Sequence, residues 1–207
     1  LPNVFAMEAM IDDLAAMAGK DPLDYRLALL SDPRARAVLS EVAAMAGWDR
    51  RGKGGEGHGL GLAFARYKNT AAYAAVVVAL SVDQTVKLEH IWVVADAGLV
   101  INPDGVRNQL EGGAVQGASW TLKEQVRMAG PGVTSLDWDS YPILCFSEVP
   151  EIDAQVLNHP DLPSLGVGEC AVSPTAAAIG NGVADALGVR IRDMPLSRER
   201  IMATLLG

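Results

Sequence analysis

Apolar residues recur at helical spacing over the first 47 positions of the chain, and the period then switches to two. Val4, Met7, Met10, Ile11, Leu14 and Ala18 fall three or four apart, which predicts a helix with Asn3 as its cap and Gly19 at its end. Asp21-Pro22 and Asp32-Pro33 repeat one device, an acceptor side chain followed by a proline at the first helical position, where its missing N–H is not needed. Each starts another short helix, and Gly47 closes the second of them. Residues 49–59 form a glycine-rich, charged connector. Beyond it Leu60, Leu62 and Phe64 alternate with small residues, Tyr73 to Val82 is almost continuously apolar, and Leu88, His90, Trp92 and Val94 alternate again. Three strands are expected, the last two joined at Asp83-Gln84-Thr85 as a hairpin.

Asn102-Pro103 begins a longer helix that keeps its apolar spacing from Val106 to Val126. Gly112, Gly113 and Gly117 interrupt it. Each interior glycine costs about 1 kcal/mol relative to alanine, so their clustering implies close approach of a ligand, or of a neighbouring helix or strand. A polar loop over residues 130–140 leads to short strands expected near 142–146 and 152–157. Ser173-Pro174 should cap an alanine-rich helix ending at Leu187 and Gly188, followed by a last strand with Val189, Ile191 and Met194 and a terminal helix capped by Ser197. The fold expected is α+β, with a helical segment over residues 1–48 and a mixed sheet packed with helices over residues 49–207.

Composition narrows the partners. Half of the 207 residues are apolar, enough for a sizeable core, and abundant Ala, Val, Leu and Gly suit elements that approach one another's backbones. A net charge of −8 and a pI near 4.8 argue against nucleic acid, whose affinity comes from clustered Lys and Arg. The local basic cluster Arg50-Arg51-Lys53 reads as a solvated linker. Cys145 and Cys170 rule out a disulfide scaffold of the small secreted kind and leave one bridge or, the favoured reading, two buried thiols. Neither they nor His58, His90 and His159 fall at zinc-ligand spacing, so no protein-only metal site is expected, and His90 reads as a packed or edge residue of its strand. No apolar run reaches the roughly 18 residues of a membrane span. The opening Leu1-Pro2-Asn3 enters a helical pattern at once, as expected of a piece of a longer protein.

Two places could carry chemistry. In Gly166-Val167-Gly168-Glu169 one carboxylate stands behind two flexible glycines and just ahead of a helix start, where unpaired N–H groups favour an anion. Gln116 lies between glycines in a helix built for close contact, with an amide that can both donate and accept. Glu169 is the candidate base; Gln116 is the candidate ligand reader.

Taken in order, Asn102-Pro103, Gln109-Leu110-Glu111-Gly112-Gly113-Ala114-Val115-Gln116-Gly117 and Gly166-Val167-Gly168-Glu169 resemble signatures of the molybdenum hydroxylases, the xanthine dehydrogenase and aldehyde oxidase family. Phe5-Ala6-Met7-Glu8, Asp12-Asp13-Leu14-Ala15, Asp21-Pro22-Leu23 and Arg26 are similar to the large, molybdopterin-binding subunit of that family, and the short connection between the helical and stranded regions is similar to its branch of isoquinoline 1-oxidoreductase beta subunits. The resemblance implies an oxidoreductase that hydroxylates N-heteroaromatic compounds or oxidises aldehydes with water as oxygen source, carrying a molybdenum-molybdopterin cofactor and paired with an iron–sulfur small subunit. It implies Glu169 as catalytic base, Gln116 and Gly117 as cofactor-binding residues, and Gly168 as the backbone beneath the metal. The family's Gly-Gln-Gly and Phe-Gly-Gly loops do not occur in this chain, so the resemblance implies a C-terminal piece that completes its site with the N-terminal half. The alternative is a structural module, inactive by itself, that packs against that half. Many relatives place proline directly after the glutamate, where this chain has Cys170. The branch suggests a periplasmic parent protein.

Overall fold

The computed structural model describes residues 1–206 and has an α+β architecture around one four-stranded sheet. Helices α1 (Pro2–Met17), α2 (Pro22–Leu29) and α3 (Pro33–Met45) come first. Strands β1 (His58–Arg66), β2 (Tyr73–Val82) and β3 (Val86–Asp96) follow as an antiparallel meander, closed between β2 and β3 by the expected hairpin turn at Val82–Val86. Helix α4 (Pro103–Leu122), a small hairpin β4 (Met128–Ala129) and β5 (Gly132–Val133), and strand β6 (Glu151–Leu157) come next. β6 lies parallel to β3, giving the order β1-β2-β3-β6. Helices α5 (Val172–Leu187) and α6 (Arg198–Leu206) complete the chain.

The continuous apolar run of β2 reflects burial on both faces. Ala74, Val76, Val78 and Leu80 face a core shared with α4 and α5, whereas Tyr73, Ala75 and Val77 face Val38, Leu39 and Val42 of α3. α5 packs directly onto the backbone of β1. A Cβ at Gly61 would collide with the Ala178 carbonyl oxygen and the Gly182 amide, and one at Gly59 with the Gly182 carbonyl oxygen. Helix and strand backbones thus touch, as the small-residue composition led us to expect.

Side chains close the outer edge of β1. Phe64 N donates to Glu8 Oε2 at 3.0 Å, Leu60 N to Asp185 Oδ2 at 3.0 Å, and Asn181 Nδ2 donates to Leu62 O at 2.9 Å. Glu8 also anchors a buried ionic network. Arg26 Nε donates to Glu8 Oε2 at 2.9 Å and its Nη1 to Asp12 Oδ1 at 2.6 Å. Arg190 reaches Asp13 at 2.6 Å and Asn181 at 2.8 Å, and Arg192 reaches Asp13 at 2.8 Å. The acidic motif near the start of the chain therefore has a structural role that joins α1, α2, α5 and the segment after α5.

Several expectations need correction. α1 begins at Pro2, with Leu1 at the cap position, so Asn3 lies inside the helix and caps nothing. α4 ends at Leu122, short of Val126, and a two-stranded hairpin of Met128–Ala129 with Gly132–Val133 forms across the start of the segment read as loop. Residues 142–145 form no strand, and Phe146–Glu148 turns as a 3₁₀ helix. Residues 189–194 are irregular too: their alternation is real, but Arg190 and Arg192 are drawn to Asp13 and Asn181, which straps the segment down without a ladder. α5 starts at Val172 because a turn already winds ahead of it, with Cys170 N bonded to Val167 O at 3.0 Å and Val172 N to Glu169 O at 3.2 Å. Pro174 then falls in the first turn, and Ser173 is not the cap. Cys145 is exposed; only Cys170 is buried. In the basic cluster, Arg51 is not free: it pairs with Asp21 and stacks over Trp48 at 3.9 Å. Among the described residues no helix is long and apolar enough to cross a membrane.

Candidate active site

The candidate residues gather at one end of the sheet, where β1, β3 and β6 finish and β2 begins. Asp96 fixes the frame there. Arg34 grips its carboxylate with two bonds, Nε to Oδ2 at 2.8 Å and Nη2 to Oδ1 at 2.6 Å, Gly98 N donates to Oδ1 at 2.9 Å, and His159 Nε2 lies 3.2 Å from Oδ2. Burial works to raise the Asp96 carboxyl, but the Arg34 guanidinium and the Gly98 amide outweigh it and hold it below its ordinary value. Gly98 adopts φ +66°, and an added Cβ there would collide with Pro163 O. The turn after β3 is thereby zipped to the stretch before Glu169: Leu99 N bonds Leu162 O at 3.1 Å, His159 N bonds Gly98 O at 3.0 Å and Leu165 N bonds Ala97 O at 2.8 Å.

Helix α4 runs alongside. Asn102 Oδ1 caps it by accepting from Gly105 N at 3.0 Å, the cap-plus-proline start read from the sequence. Its buried stripe contains Leu110, Gly113, Ala114, Gly117 and Ala118, and its exposed stripe contains Gln109, Gly112 and Gln116. The two stripes separate the glycines. Gly113 sits against Ala171 and Val172, and a Cβ on Gly117 would come within 2.5 Å of Val172 O, so these two let α4 pack onto the start of α5. Gly117 therefore faces a helix and turns away from the stripe that carries Gln116. Gly112 has open space above it.

Glu169 lies exposed in the turn that leads into α5, whose first amides receive no side-chain cap. Nothing stands within 4 Å of a Cβ placed on Gly166 or Gly168. Gln109 Nε2 donates to Gly168 O at 2.9 Å, which binds this turn to the exposed stripe of α4. Gln116 stands two turns further along the same stripe, about 10 Å away along the helix axis. Glu169 Oε2 accepts from Tyr67 Oη at 3.2 Å. Beside the turn a cavity of about 280 Å³ opens between Ala97, Ile101, Asn102, Val106, Gln109 and Gly166. The Cys170 thiol points into the core, and burial pushes it up to about 12, so it is inert at neutral pH. Among the described residues no three His, Cys, Asp or Glu side chains group as a metal site.

Of the four residues singled out in the sequence, Glu169, Gly168 and Gln116 are exposed, whereas Gly117 is buried against α5. Sequence reasoning missed Tyr67, which lies 102 positions before Glu169 and carries no local signal. Gln109 was visible as part of a motif, without a role.

The family model described as molybdopterin cofactor-binding domain matches residues 6–150. A nicotinate dehydrogenase subunit of Pseudomonas putida is 41% identical over 223 aligned residues, covering 100% of this chain and 19% of the relative. The beta subunit of isoquinoline 1-oxidoreductase from Brevundimonas diminuta is 36% identical, with 93% of this chain and 25% of the relative covered. Among solved structures, quinoline 2-oxidoreductase from Pseudomonas putida 86 superimposes with a TM-score of 0.61 at 29% identity, covering 65% of this chain and 19% of that one. The chain thus spans a fifth to a quarter of the length of these two curated relatives.

Proposed function

The chain belongs to the molybdopterin cofactor-binding domain family, and we propose that it forms part of the large subunit of a molybdenum-dependent oxidoreductase that hydroxylates N-heteroaromatic compounds or oxidises aldehydes, with water as the oxygen source. The names of two similar curated relatives favour the N-heteroaromatic side, since nicotinate and isoquinoline are both of that class. An iron–sulfur small subunit would be the electron-accepting partner. The activity is assigned to the full-length protein, because this chain offers one open wall of a site.

The residues on that wall suit a planar, hydrogen-bonding cofactor. Gly112, Gly166 and Gly168 present bare backbone with nothing above it, and Gln109 and Gln116 flank them with amides that can donate and accept. Gln116 would hold the cofactor by its amide, and the Gly168 backbone would let it approach Glu169. When bound, molybdopterin and its metal supply a two-electron redox centre. Glu169 takes up a proton from water as general base, and Gln109 keeps the turn beneath it in place through the Gly168 carbonyl.

The observation that carries this reading is the pairing of an exposed carboxylate with open glycine backbone on a turn bonded to the Gln109–Gln116 stripe. In the full-length enzyme with its partner, Glu169→Gln is expected to lower kcat by roughly 10²–10⁴-fold, the usual worth of general-base catalysis, while the molybdenum content stays at the wild-type level. Near-normal turnover at full molybdenum content would remove Glu169 from the role.

A further inference from the structure

We propose that Tyr67 is a positioning residue for Glu169, its hydroxyl holding Oε2 so that the other carboxylate oxygen is presented for proton transfer. The inference rests on the reading of Glu169 as the base.

The turn that carries Glu169 is held by its own backbone bonds and by Gln109, but the Glu169 side chain is exposed, so no packing fixes its rotamer. Among the described residues the Tyr67 hydroxyl is the one side-chain group that bonds its carboxylate, at 3.2 Å. A base that wanders by an ångström loses much of its worth, so a fixed partner has direct consequence.

Tyr67 is built to be fixed. Its ring packs half-buried against the core cluster that includes Cys170 and Ala171, leaving the polar tip at the surface. Lys68 Nζ lies 5.2 Å from the ring centroid. The backbone behind it is strained: Lys68 at φ 50°, ψ 23° and Asn69 at φ 61° are two successive non-glycine residues in the left-handed region. Such conformations persist where surrounding bonds impose them. Here those bonds are visible: Tyr67 N donates to Ala72 O at 2.8 Å, Ala71 N donates to Tyr67 O at 2.8 Å, and Ala72 N donates to Gly166 O at 3.2 Å. The last bond ties the strained turn to the very loop that carries Glu169. Backbone and side chain therefore make two ties between the same pair of segments, and the strain is maintained at the place where the acid must be aimed.

The test uses the full-length holoenzyme, with rates expressed per bound molybdenum. Tyr67→Phe keeps the ring and removes the bond; kcat is expected to fall about tenfold, the effect of one hydrogen bond to a charged group, with KM unchanged. In Glu169→Asp the carboxylate is drawn back by one methylene and no longer reaches the hydroxyl, so adding Tyr67→Phe should cost nothing further. An unchanged kcat in Tyr67→Phe, or the same tenfold loss in the Glu169→Asp background, overturns the positioning role. Glu169→Gln separates the two levels: if it is inactive while Tyr67→Phe is fully active, only Tyr67 loses its assignment, whereas an active Glu169→Gln removes the base and the positioning role together.

Discussion

Asp96 ends β3 with a side chain fully withdrawn from solvent, and its charge survives there because Arg34, Gly98 and His159 surround it. Its carboxyl is held below the ordinary value of 3.8. The sign follows from linkage: the unfolded chain binds the proton more readily, so the stabilisation is present above pH 3.8 and is lost as the pH falls through the lower folded value. Asp96→Asn is therefore expected to be less stable than the wild type at neutral pH and to lose less on acidification below about pH 4. Urea titrations across that range would show this as a flatter acid limb. In the sequence Asp96-Ala97-Gly98 read only as the end of a strand, since its partner Arg34 sits 62 positions earlier. Glu169 stood out as a candidate in the sequence because two glycines precede it, and the fold leaves open space over both. Tyr67 did not, because nothing in its neighbours declares which distant residue its hydroxyl will meet. The exposed Cys145 was misjudged for a related reason: a thiol's burial depends on what packs over it, and composition does not say.

At the scale of elements, periodicity located the helices and the three strands of the meander to within a few residues, and proline and glycine marked most of their ends. It failed where side-chain bonds compete with pairing, as in residues 189–194, and at α5, where a preceding turn does the work assigned to Ser173. The glycines of α4 were the open question, and the fold divides them: Gly113 and Gly117 serve helix packing, and Gly112 faces outward. Two substitutions exploit the contrast between filled and open space. Gly61→Ala forces α5 away from β1 and is expected to cost about 3 kcal/mol. Gly112→Ala meets nothing within 4 Å and should raise stability by about 0.5–1 kcal/mol through helix propensity, while reducing molybdenum retention in the full-length enzyme if that face receives the cofactor. Thermal unfolding together with metal analysis reads both effects.

Across the whole molecule, the ionic network joins residues 8–13 to residues 181–192, so early and late segments of the chain stabilise one another. Arg26 and Glu8 are almost wholly buried. Removing one partner of such a pair leaves a charge without compensation, and Arg26→Ala is expected to cost about 3–5 kcal/mol. Replacing both, as Glu8→Gln with Arg26→Met, should cost less, because no charge is then stranded; denaturant midpoints of the two variants decide it. Glu8 has a second duty, since the same carboxylate oxygen accepts from Phe64 N on the outer edge of β1, where Asp185 also accepts from Leu60 N and Asn181 donates to Leu62 O. Edge strands with free amides and carbonyls are templates on which another chain can build. Three side chains from α1 and α5 withhold that template here. Any event that frees those two helices, whether a mutation in the network or partial unfolding, exposes a small, apolar strand ready to recruit its own copies. The acids and the amide along β1 thus guard against self-association as well as holding the fold together.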